Sequence, residues 1–400
     1  MHQVLFRTAW IFKTESVIMP AFLDTISGAG WVRGLLPPLN RFGQSLAPLL
    51  LSDRLTRASV KSRWLSHTTM LMGLPFLSIG ALLLLPGGSA SLLVAFFLIS
   101  YFVFFCVTGV NQATFNTIQG KLIRAHRRGR LMAIAGYIGS PVAVLMAWLL
   151  LKPWTEAQPP KYALIFLFTG VVFVLAGLTV RRLKEVPDPV EARRAIDVRR
   201  RFGDAWKALQ NDPHLRQLCL LAALFVCTQL LFPHYQRLGQ QRGGFEGQML
   251  MYWVIAQNLS AAAFSWISGR LADVYGTRSA LRWLTFAAIF APLLALVLDR
   301  YAAAGWYWLT FVLLGAVPVT YRMFLNYALE LTNREQHPIY VSTVVLSMAP
   351  PIVFSPLVGE VVDRTGYVLP FVAISAMLCA AWGLTLRLVE PRQLNLKHTH

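Results

Sequence analysis

Long apolar runs alternate with short polar connections along almost the whole chain. The runs LLVAFFLISYFVFFCVTGV, YALIFLFTGVVFVLAGLTV and LTFAAIFAPLLALVL approach or reach the roughly 20 residues that an α-helix needs to cross the hydrocarbon core of a bilayer. The same pattern predicts twelve spans, at 4–25, 31–52, 67–86, 90–119, 131–151, 162–182, 214–238, 247–270, 279–299, 304–331, 339–361 and 367–389. The predicted fold class is therefore an all-α membrane protein with twelve transmembrane helices.

The charge of the connections alternates from one to the next. The connections PGGSAS, KPWTEAQPP and DRYAAAG hold few cations. The cationic connections hold Arg54, Arg57, Lys61, Arg63, Lys121, Arg124, Arg127, Arg128 and Arg130, and a long basic loop follows Arg181. Because Lys and Arg are enriched in cytoplasmic loops, both termini are predicted to face the cytoplasm. A bacterial-type inner (plasma) membrane is the expected location.

A basic connection at 183–213 separates the first six spans from the last six. The helix breaker PDP lies at 187–189. After it, apolar positions at helical spacing face away from a run of arginines; these positions are Ala195, Val198, Phe202, Trp206 and Leu209. We predict an amphipathic helix on an anionic lipid leaflet, with a solvated charged linker as the alternative. The predicted domains are six-helix bundles at 1–182 and 214–400, joined by this linker.

Composition supports the membrane assignment. The 400 residues are 56% hydrophobic and only 14% charged, with a mean hydropathy of +0.53, whereas about a quarter of a soluble domain is charged. The net charge of +19 would suggest a nucleic-acid partner in a soluble protein. Here the cations flank membrane spans, so no nucleic acid is predicted as a partner.

Two related loops occupy equivalent places in the two halves. GRLADVYGTR (269–278) joins spans eight and nine, and LLLSDRLTRASVKSR (49–63) joins spans two and three. The second-half loop resembles the signature loop of the major facilitator superfamily through Gly269, Leu271, Asp273, Gly276 and Arg278. The first-half loop keeps Asp53, Arg54 and Arg57 but has Leu49 and Thr56 where the family usually has glycines. RRGR (127–130) and GEVVDRTG (359–366) are also similar to family segments, while GYIGSP (136–141) only partly matches the antiporter motif.

This resemblance implies two pseudo-symmetric six-helix bundles that move a solute by alternating access. It also implies a cytoplasmic gate motif that latches that side, at Asp53, Arg54, Arg57, Gly269, Asp273, Gly276 and Arg278. A tight turn between spans favours glycine, and an aspartate at a helix N-terminus is stabilised by the helix dipole and a nearby arginine. The alternative is that these charges only anchor the loop ends.

Several polar residues lie about ten positions from the end of a span, which places them near the membrane midplane. Inserting a central charge costs about 2.5–3.5 kcal/mol, so these groups must face partners or water. The predicted substrate pathway comprises Lys13, Glu15, Arg41, Gln112, Asn116, Gln257, Asn258, Arg322 and Asn326, and Asn40, Gln44, Asn111 and His234 also lie within spans. Lys13 and Glu15 are two residues apart, so on one helix they are expected to diverge by about 200°.

The charges in these spans favour an anionic solute. The midplane cations outnumber the carboxylates there, with Lys13, Arg41 and Arg322 compared with Glu15. Arginine binds carboxylate or phosphate with two parallel hydrogen bonds. The family resemblance adds that spans one, four, seven and ten line the cavity. Glu15 and His234 are the predicted proton carriers. The alternatives are a structural Glu15–Arg41 ion pair and an interfacial, hydrogen-bonded His234.

The predicted function is secondary active transport of a small organic solute, with coupling to protons. The sequence has no GxxxxGK[ST] loop for ATP and no catalytic or metal-binding cluster, so neither an enzyme nor a cofactor is predicted. Two alternatives remain open: an exporter of amphipathic drugs or lipid flippase on the same fold, and a non-transporting membrane scaffold or receptor. The expected partners are a small-molecule substrate and membrane lipids, and the expected state is a monomer.

Overall fold

The computed structural model describes residues 1–87, 89–123, 125–187, 198–243, 247–301, 304–333 and 336–391, and every regular element in these ranges is helical. The first helices are α1 (His2–Phe12), α2 (Ile18–Ile26), α3 (Gly30–Gly34), α4 (Leu36–Arg57), α5 (Lys61–Leu71), α6 (Gly73–Leu82), α7 (Ala90–Leu122), α8 (Ala125–Met146), α9 (Lys152–Glu156) and α10 (Tyr162–Val180). The remaining helices are α11 (Val198–Asn211), α12 (Pro213–Val226), α13 (Phe232–Gly243), α14 (Gly247–Tyr275), α15 (Thr277–Arg300), α16 (Trp308–Leu314), α17 (Ala316–Glu330), α18 (His337–Ser347), α19 (Ala349–Ile352), α20 (Ser355–Thr365) and α21 (Val368–Arg387). A π-helical turn at Ala147–Leu151 and 3₁₀ turns at Cys227–Leu231 and Ala304–Trp306 join some of them.

Nine stretches within the described residues are long and apolar enough to cross a membrane. They are Lys61–Leu82, Ala90–Leu122, Ala135–Glu156, Tyr162–Val180, Pro213–Gln241, Thr277–Arg300, Trp308–Glu330, His337–Thr365 and Val368–Arg387, and each overlaps a predicted span. The other three predicted spans fall on α1–α2, α3–α4 and α14. Those are the spans that carry Lys13 and Glu15, Arg41, and Gln257 with Asn258. The observed spans agree with the predicted fold class.

The first predicted span is broken in the middle. Helix α1 ends at Phe12, α2 begins at Ile18, and the intervening residues form turns. The Thr14 hydroxyl donates to the Ile11 carbonyl at 2.6 Å and so binds one of the carbonyls left free at the end of α1. The expectation that Lys13 and Glu15 diverge by 200° on one continuous helix is therefore wrong.

The described chain forms two compact units, of which the first comprises Met1–Gly28, Pro38–Ile196 and Glu246–Met251. Its core is rich in phenylalanine; ring pairs include Phe76–Phe104, with centroids 4.8 Å apart, and Phe22–Phe166, at 4.9 Å. Helix α10 packs against α5 and α6. The Ser66 hydroxyl donates to the Gly177 carbonyl at 2.9 Å across that contact. In lipid the hydrophobic effect does not drive helices together, so close packing through small residues and interhelical hydrogen bonds stabilise their contacts.

The second unit comprises Ala29–Pro37, Asp197–Phe245 and Tyr252–His400. Its core includes Trp253 stacked on Phe311, with centroids 5.0 Å apart, and Tyr307, whose hydroxyl donates to the Tyr235 carbonyl at 2.9 Å. Helix α12 starts with a side-chain cap, because Asp212 accepts hydrogen bonds from the first backbone amides. Contacts group residues 29–37 with this second unit. The domain boundaries at 182 and 214 stay a prediction.

Within the second unit, α3 and α20 approach through small residues. A Cβ atom at Gly359 would lie 2.1 Å from the Gly30 carbonyl oxygen, and one at Gly34 would lie 2.5 Å from the Ser355 carbonyl oxygen. Gly30 and Gly34 are four residues apart, as are Ser355 and Gly359, so each helix presents small residues on one face. This close contact is absent from the sequence-based predictions.

Candidate functional site

Lys13 and Glu15 form an ion pair at the break in the first span. The distance from Lys13 Nζ to Glu15 Oε1 is 2.6 Å, and Lys13 has no exposed surface. The ammonium also lies over aromatic rings, 3.5 Å from the Trp10 centroid and 4.5 Å from the Phe105 centroid. Cation–π attraction and the carboxylate together replace the water that this buried cation has lost.

The Glu15 side chain, unlike that of Lys13, keeps a quarter of its surface exposed. Its second oxygen, Oε2, accepts a hydrogen bond from the Asn40 side-chain amide, and Gln44 donates to Asn40 in turn. Asn40 and Gln44 are one turn apart on α4, which explains how both join the chain of polar groups. Arg41 follows Asn40 on α4 and is half-buried. The Glu15 carboxyl group is thus held by hydrogen bonds yet only partly covered by the protein.

Helix α7 separates exposed polar residues from a buried one. Gln112 and Asn116 are exposed, and Gln112 Nε2 donates to Asn116 Oδ1 at 2.9 Å, as their spacing on one face predicts. Asn111 is buried and donates to the hydroxyls of Thr68 and Thr69 at 3.0 and 2.7 Å. Asn111 therefore joins α7 to α5, while Gln112 and Asn116 keep exposed surface.

In the second unit, Arg322 is the principal polar feature of α17. Its side chain is exposed, and Nη2 donates to Ser265 Oγ on α14 at 3.1 Å. Asn326, one turn further along α17, is also exposed. On α14, Gln257 is half-buried and Asn258 is exposed, although the Asn258 amide donates to the carbonyl of Val254 at 2.8 Å.

His234 is completely buried in the second unit. Neither ring nitrogen has a hydrogen-bond partner among the described residues. Nearby lies a buried charge, Arg33, whose Nη2 contacts Asp363 Oδ1 at 3.3 Å. Asp363 also accepts from the Gly30 amide, so α3 and α20 are joined by this ion pair as well as by their glycines. The arrangement of Arg33 and Asp363 was not anticipated from sequence, because it joins residues 330 positions apart.

The second-half gate motif binds the segment after the last helix. Gly276 has φ +89°, which only glycine adopts easily, and a Cβ atom there would lie 2.3 Å from the Glu390 carboxyl carbon. Arg278 donates to the Leu388 carbonyl at 3.3 Å and lies 3.9 Å from Glu390. Asp273 is exposed, and Gly269 has open space around it. The carboxylate partner found for Arg278 is thus Glu390, which sequence reasoning missed.

A carboxylate after the sixth span makes a similar contact in the first unit. Glu185 accepts from the Ser62 amide at 2.6 Å and from Lys121 Nζ at 2.8 Å. Burial raises the pKa of the Glu185 carboxyl, but hydrogen bonds from Lys121, Ser62 and Lys61 outweigh it and hold that pKa below its ordinary value. The side chains of Asp53, Arg54 and Arg57, predicted for the first gate motif, lie outside the described part of the structure.

Glu185 and Glu390 therefore occupy corresponding places, each just after the last helix of a predicted bundle and docked at the start of that bundle's third helix. The sequence held a signal for this repeat. KEVP (184–187) and VEP (389–391) both place a glutamate shortly before a proline at the end of a long apolar run. In the linker, α11 spans Val198–Asn211 and Trp206 is exposed, whereas residues 188–197 lie outside the described residues. The amphipathic helix on a lipid leaflet stays a prediction.

Solved structures of transporters share this fold. The nucleoside transporter NupG superposes with a TM-score of 0.69 at 12% identity, covering 97% of each chain. A D-xylose-proton symporter gives 0.71 at 11% identity, covering 98% of each chain. A bacterial homolog of the human lysosomal transporter Spinster gives 0.67 at 13% identity, covering 97% of this chain and 96% of the other.

The sequence itself identifies the family. No curated protein matches the chain, but the family model described as Major Facilitator Superfamily matches residues 134–339, more than half of it. That match contains the loop GRLADVYGTR. The chain belongs to the major facilitator superfamily of membrane transporters.

Proposed function

We propose that this transporter moves a small organic anion together with a proton, by alternating access. The observation that carries the proposal is the Lys13–Glu15 pair: Lys13 is fully buried, and its partner carboxylate is a quarter exposed. A buried cation needs a counter-charge at all times, whereas an exposed carboxylate can exchange its proton with water. The two residues thus have different roles.

Protonation of Glu15 would create the binding site for the anion. While Glu15 is ionised, its Oε1 lies 2.6 Å from Lys13 Nζ and neutralises the ammonium. Once Glu15 is protonated, Lys13 lacks a counter-charge, and a carboxylate or phosphate on the solute supplies it. Proton and anion then bind together, and neither binds well alone. This linkage is the physical basis of symport in the proposal.

Amide side chains would orient the solute. Asn40 and Gln44 extend the polar chain from Glu15, and Gln112 with Asn116 forms an exposed pair on α7. Amides donate and accept, so they discriminate among the hydroxyl and carbonyl groups of a solute. We assign Arg41, Gln257, Asn258, Arg322 and Asn326 to the pathway as well, with His234 as the alternative to Glu15 as proton carrier.

A neutral polyhydroxylated solute is the second candidate. The same amides suit sugar hydroxyls, and structural neighbours are described as a nucleoside transporter and a D-xylose-proton symporter. In that case Lys13 and Glu15 serve only to couple protons or to hold the helix break. An exporter of amphipathic drugs or lipids would still use Glu15 to couple protons, whereas a scaffold role without transport would leave Glu15 without a function in transport.

The remaining features of the proposal concern the membrane. Both termini face the cytoplasm of a bacterial-type inner membrane, the protein is a monomer, and the linker at 183–213 lies on the anionic leaflet. The residues Asp53, Arg54, Arg57, Gly269, Asp273, Gly276 and Arg278 form the cytoplasmic gate. The basic loops support this orientation through the distribution of Lys and Arg.

Uptake into proteoliposomes tests the proposal. Radiolabelled organic acids, sugar phosphates, sugars and nucleosides are offered with and without an inward proton gradient. We expect gradient-driven uptake of one anion class by the wild type, and no uptake by Lys13→Gln. Lys161→Gln, which makes the same substitution at an exposed lysine outside the pathway, serves as a matched control for insertion and folding. Uptake of only neutral solutes, unaffected by Lys13→Gln, would refute the anion assignment.

A further inference from the structure

A cavity of about 690 Å³ lies in the first unit, beside the start of α5 and the chain that follows α10. Its lining includes Arg63, His67, Arg181 and Lys184. By the distribution of basic loops this is the cytoplasmic end of the unit. The volume is within the range of small-molecule sites, about 300–1,000 Å³. None of these four residues belongs to the proposed substrate pathway.

The cavity is cationic because the one carboxylate among its described lining residues is already bound. Glu185 contributes to the lining, but its oxygens are taken by the Ser62 amide and by Lys121 Nζ. Arg63, Arg181 and Lys184 are exposed, and within the described part of the chain none of the three forms an ion pair with a carboxylate. Three positive charges thus converge on a space where no carboxylate of the described residues pairs with them.

An apolar stripe on the surface of α10 leads to this cavity. Val171, Leu175 and Leu178 are exposed and spaced four and three residues apart, so they lie on one face of the helix. Arg181, three residues beyond Leu178, continues the same face at the helix end. Leu183 and Val186, both exposed and both lining the cavity, add apolar surface at its mouth. The surface is therefore hydrocarbon-compatible along the span and cationic at its cytoplasmic end.

We infer that this cavity binds the phosphate group of an anionic glycerophospholipid from the cytoplasmic leaflet, with an acyl chain along Val171, Leu175 and Leu178. Arg63, Arg181 and Lys184 hold the phosphate. A guanidinium gives phosphate two parallel hydrogen bonds, and lysine adds a point charge. Basic pockets beside membrane helices on the cytoplasmic side suit such head groups. The apolar stripe favours a lipid over a soluble phosphate, because a soluble phosphate has no acyl chain to pack against it.

Lipid titration of the full-length protein tests this site. Native mass spectrometry in a neutral detergent gives the dissociation constants of phosphatidylglycerol and phosphatidylcholine with the same acyl chains, and calorimetry gives that of inorganic phosphate. The test variant is Arg63→Gln/Arg181→Gln/Lys184→Gln. The control, Lys207→Gln/Arg216→Gln/Arg387→Gln, removes the same charge from exposed residues elsewhere on the predicted cytoplasmic side.

We expect the test variant to weaken phosphatidylglycerol binding by on the order of a hundredfold, since each cation near an anionic lipid contributes about fivefold. The control should change it by less than about fivefold. Equal losses in both variants would show unspecific attraction and overturn the site. Inorganic phosphate binding as tightly as the lipid would overturn the lipid assignment.

A photoactivatable phosphatidylglycerol on the wild-type protein gives a second readout that does not depend on the folding of any variant. Crosslinks are expected in peptides that contain residues 60–67 and 181–187, the two stretches that line the cavity. Crosslinks distributed over other exposed helices, with none in these two stretches, would refute the proposal.

Discussion

Removing Glu15 should cost more stability than removing Lys13, although the two residues form one ion pair. Glu15→Ala leaves an ammonium with no exposed surface and no counter-charge, and loss of one partner of a buried pair costs about 3–5 kcal/mol. Trp10, 3.5 Å from Lys13 Nζ, gives no compensation because that contact already exists in the wild type. Lys13→Met leaves a carboxylate that is a quarter exposed and hydrogen-bonded by Asn40, so the loss should be about 1–3 kcal/mol.

The double variant Lys13→Met/Glu15→Ala completes the comparison. It contains neither the buried cation nor its partner, so its free energy of unfolding should lie at least about 2 kcal/mol above the value expected from adding the two single losses. Unfolding by SDS in mixed micelles measures all four proteins under the same conditions. Additive losses, or a larger loss for Lys13→Met than for Glu15→Ala, would refute the assignment of Lys13 as the buried partner.

Other predictions concern helix packing and the Glu185 carboxyl group that follows the sixth predicted span. Gly359→Ala should lower stability by about 1–3 kcal/mol, because its Cβ would meet the Gly30 carbonyl at 2.1 Å, whereas Gly383→Ala, with nothing within 4 Å, should not. Asn111→Ala should lower the free energy of unfolding by about 1–3 kcal/mol. It should keep transport, because the partners of Asn111 are the Thr68 and Thr69 hydroxyls in the contact between α7 and α5. Glu185→Gln should lower stability at pH 7 by about 2 kcal/mol. Its lowered pKa means that this contribution is present above the unfolded-state pKa and is lost on acidification through the folded-state pKa, so thermal melts of wild type and variant should converge at low pH.

Hydropathy predicted most spans because the signal is local to each helix. Within the described residues, nine predicted spans overlap apolar helices, and Gly276 has the positive φ that its place in a tight turn suggested. The i, i+4 spacing of Gln112 and Asn116 likewise predicted their contact. These features depend only on neighbours along one helix or one turn, so sequence alone contains the information.

Features that depend on distant parts of the chain were not predictable in the same way. Residues 13–17 contain no glycine or proline, so nothing in the sequence marks the break that lets Lys13 meet Glu15. The docking of Glu185 and Glu390 and the α3–α20 contact each join residues far apart in sequence. They follow from tertiary packing, which periodicity does not report.

Counting the protons that accompany solute entry tests the central claim most directly. Proteoliposomes loaded with a pH-sensitive dye report proton and labelled anion influx in the same sample, and an exchange assay without a gradient reports solute movement alone. For the wild type we predict one proton per anion. For Glu15→Gln, which resembles the protonated side chain, we predict exchange of the anion without any proton movement. Proton influx that persists in Glu15→Gln at the wild-type ratio would contradict the account.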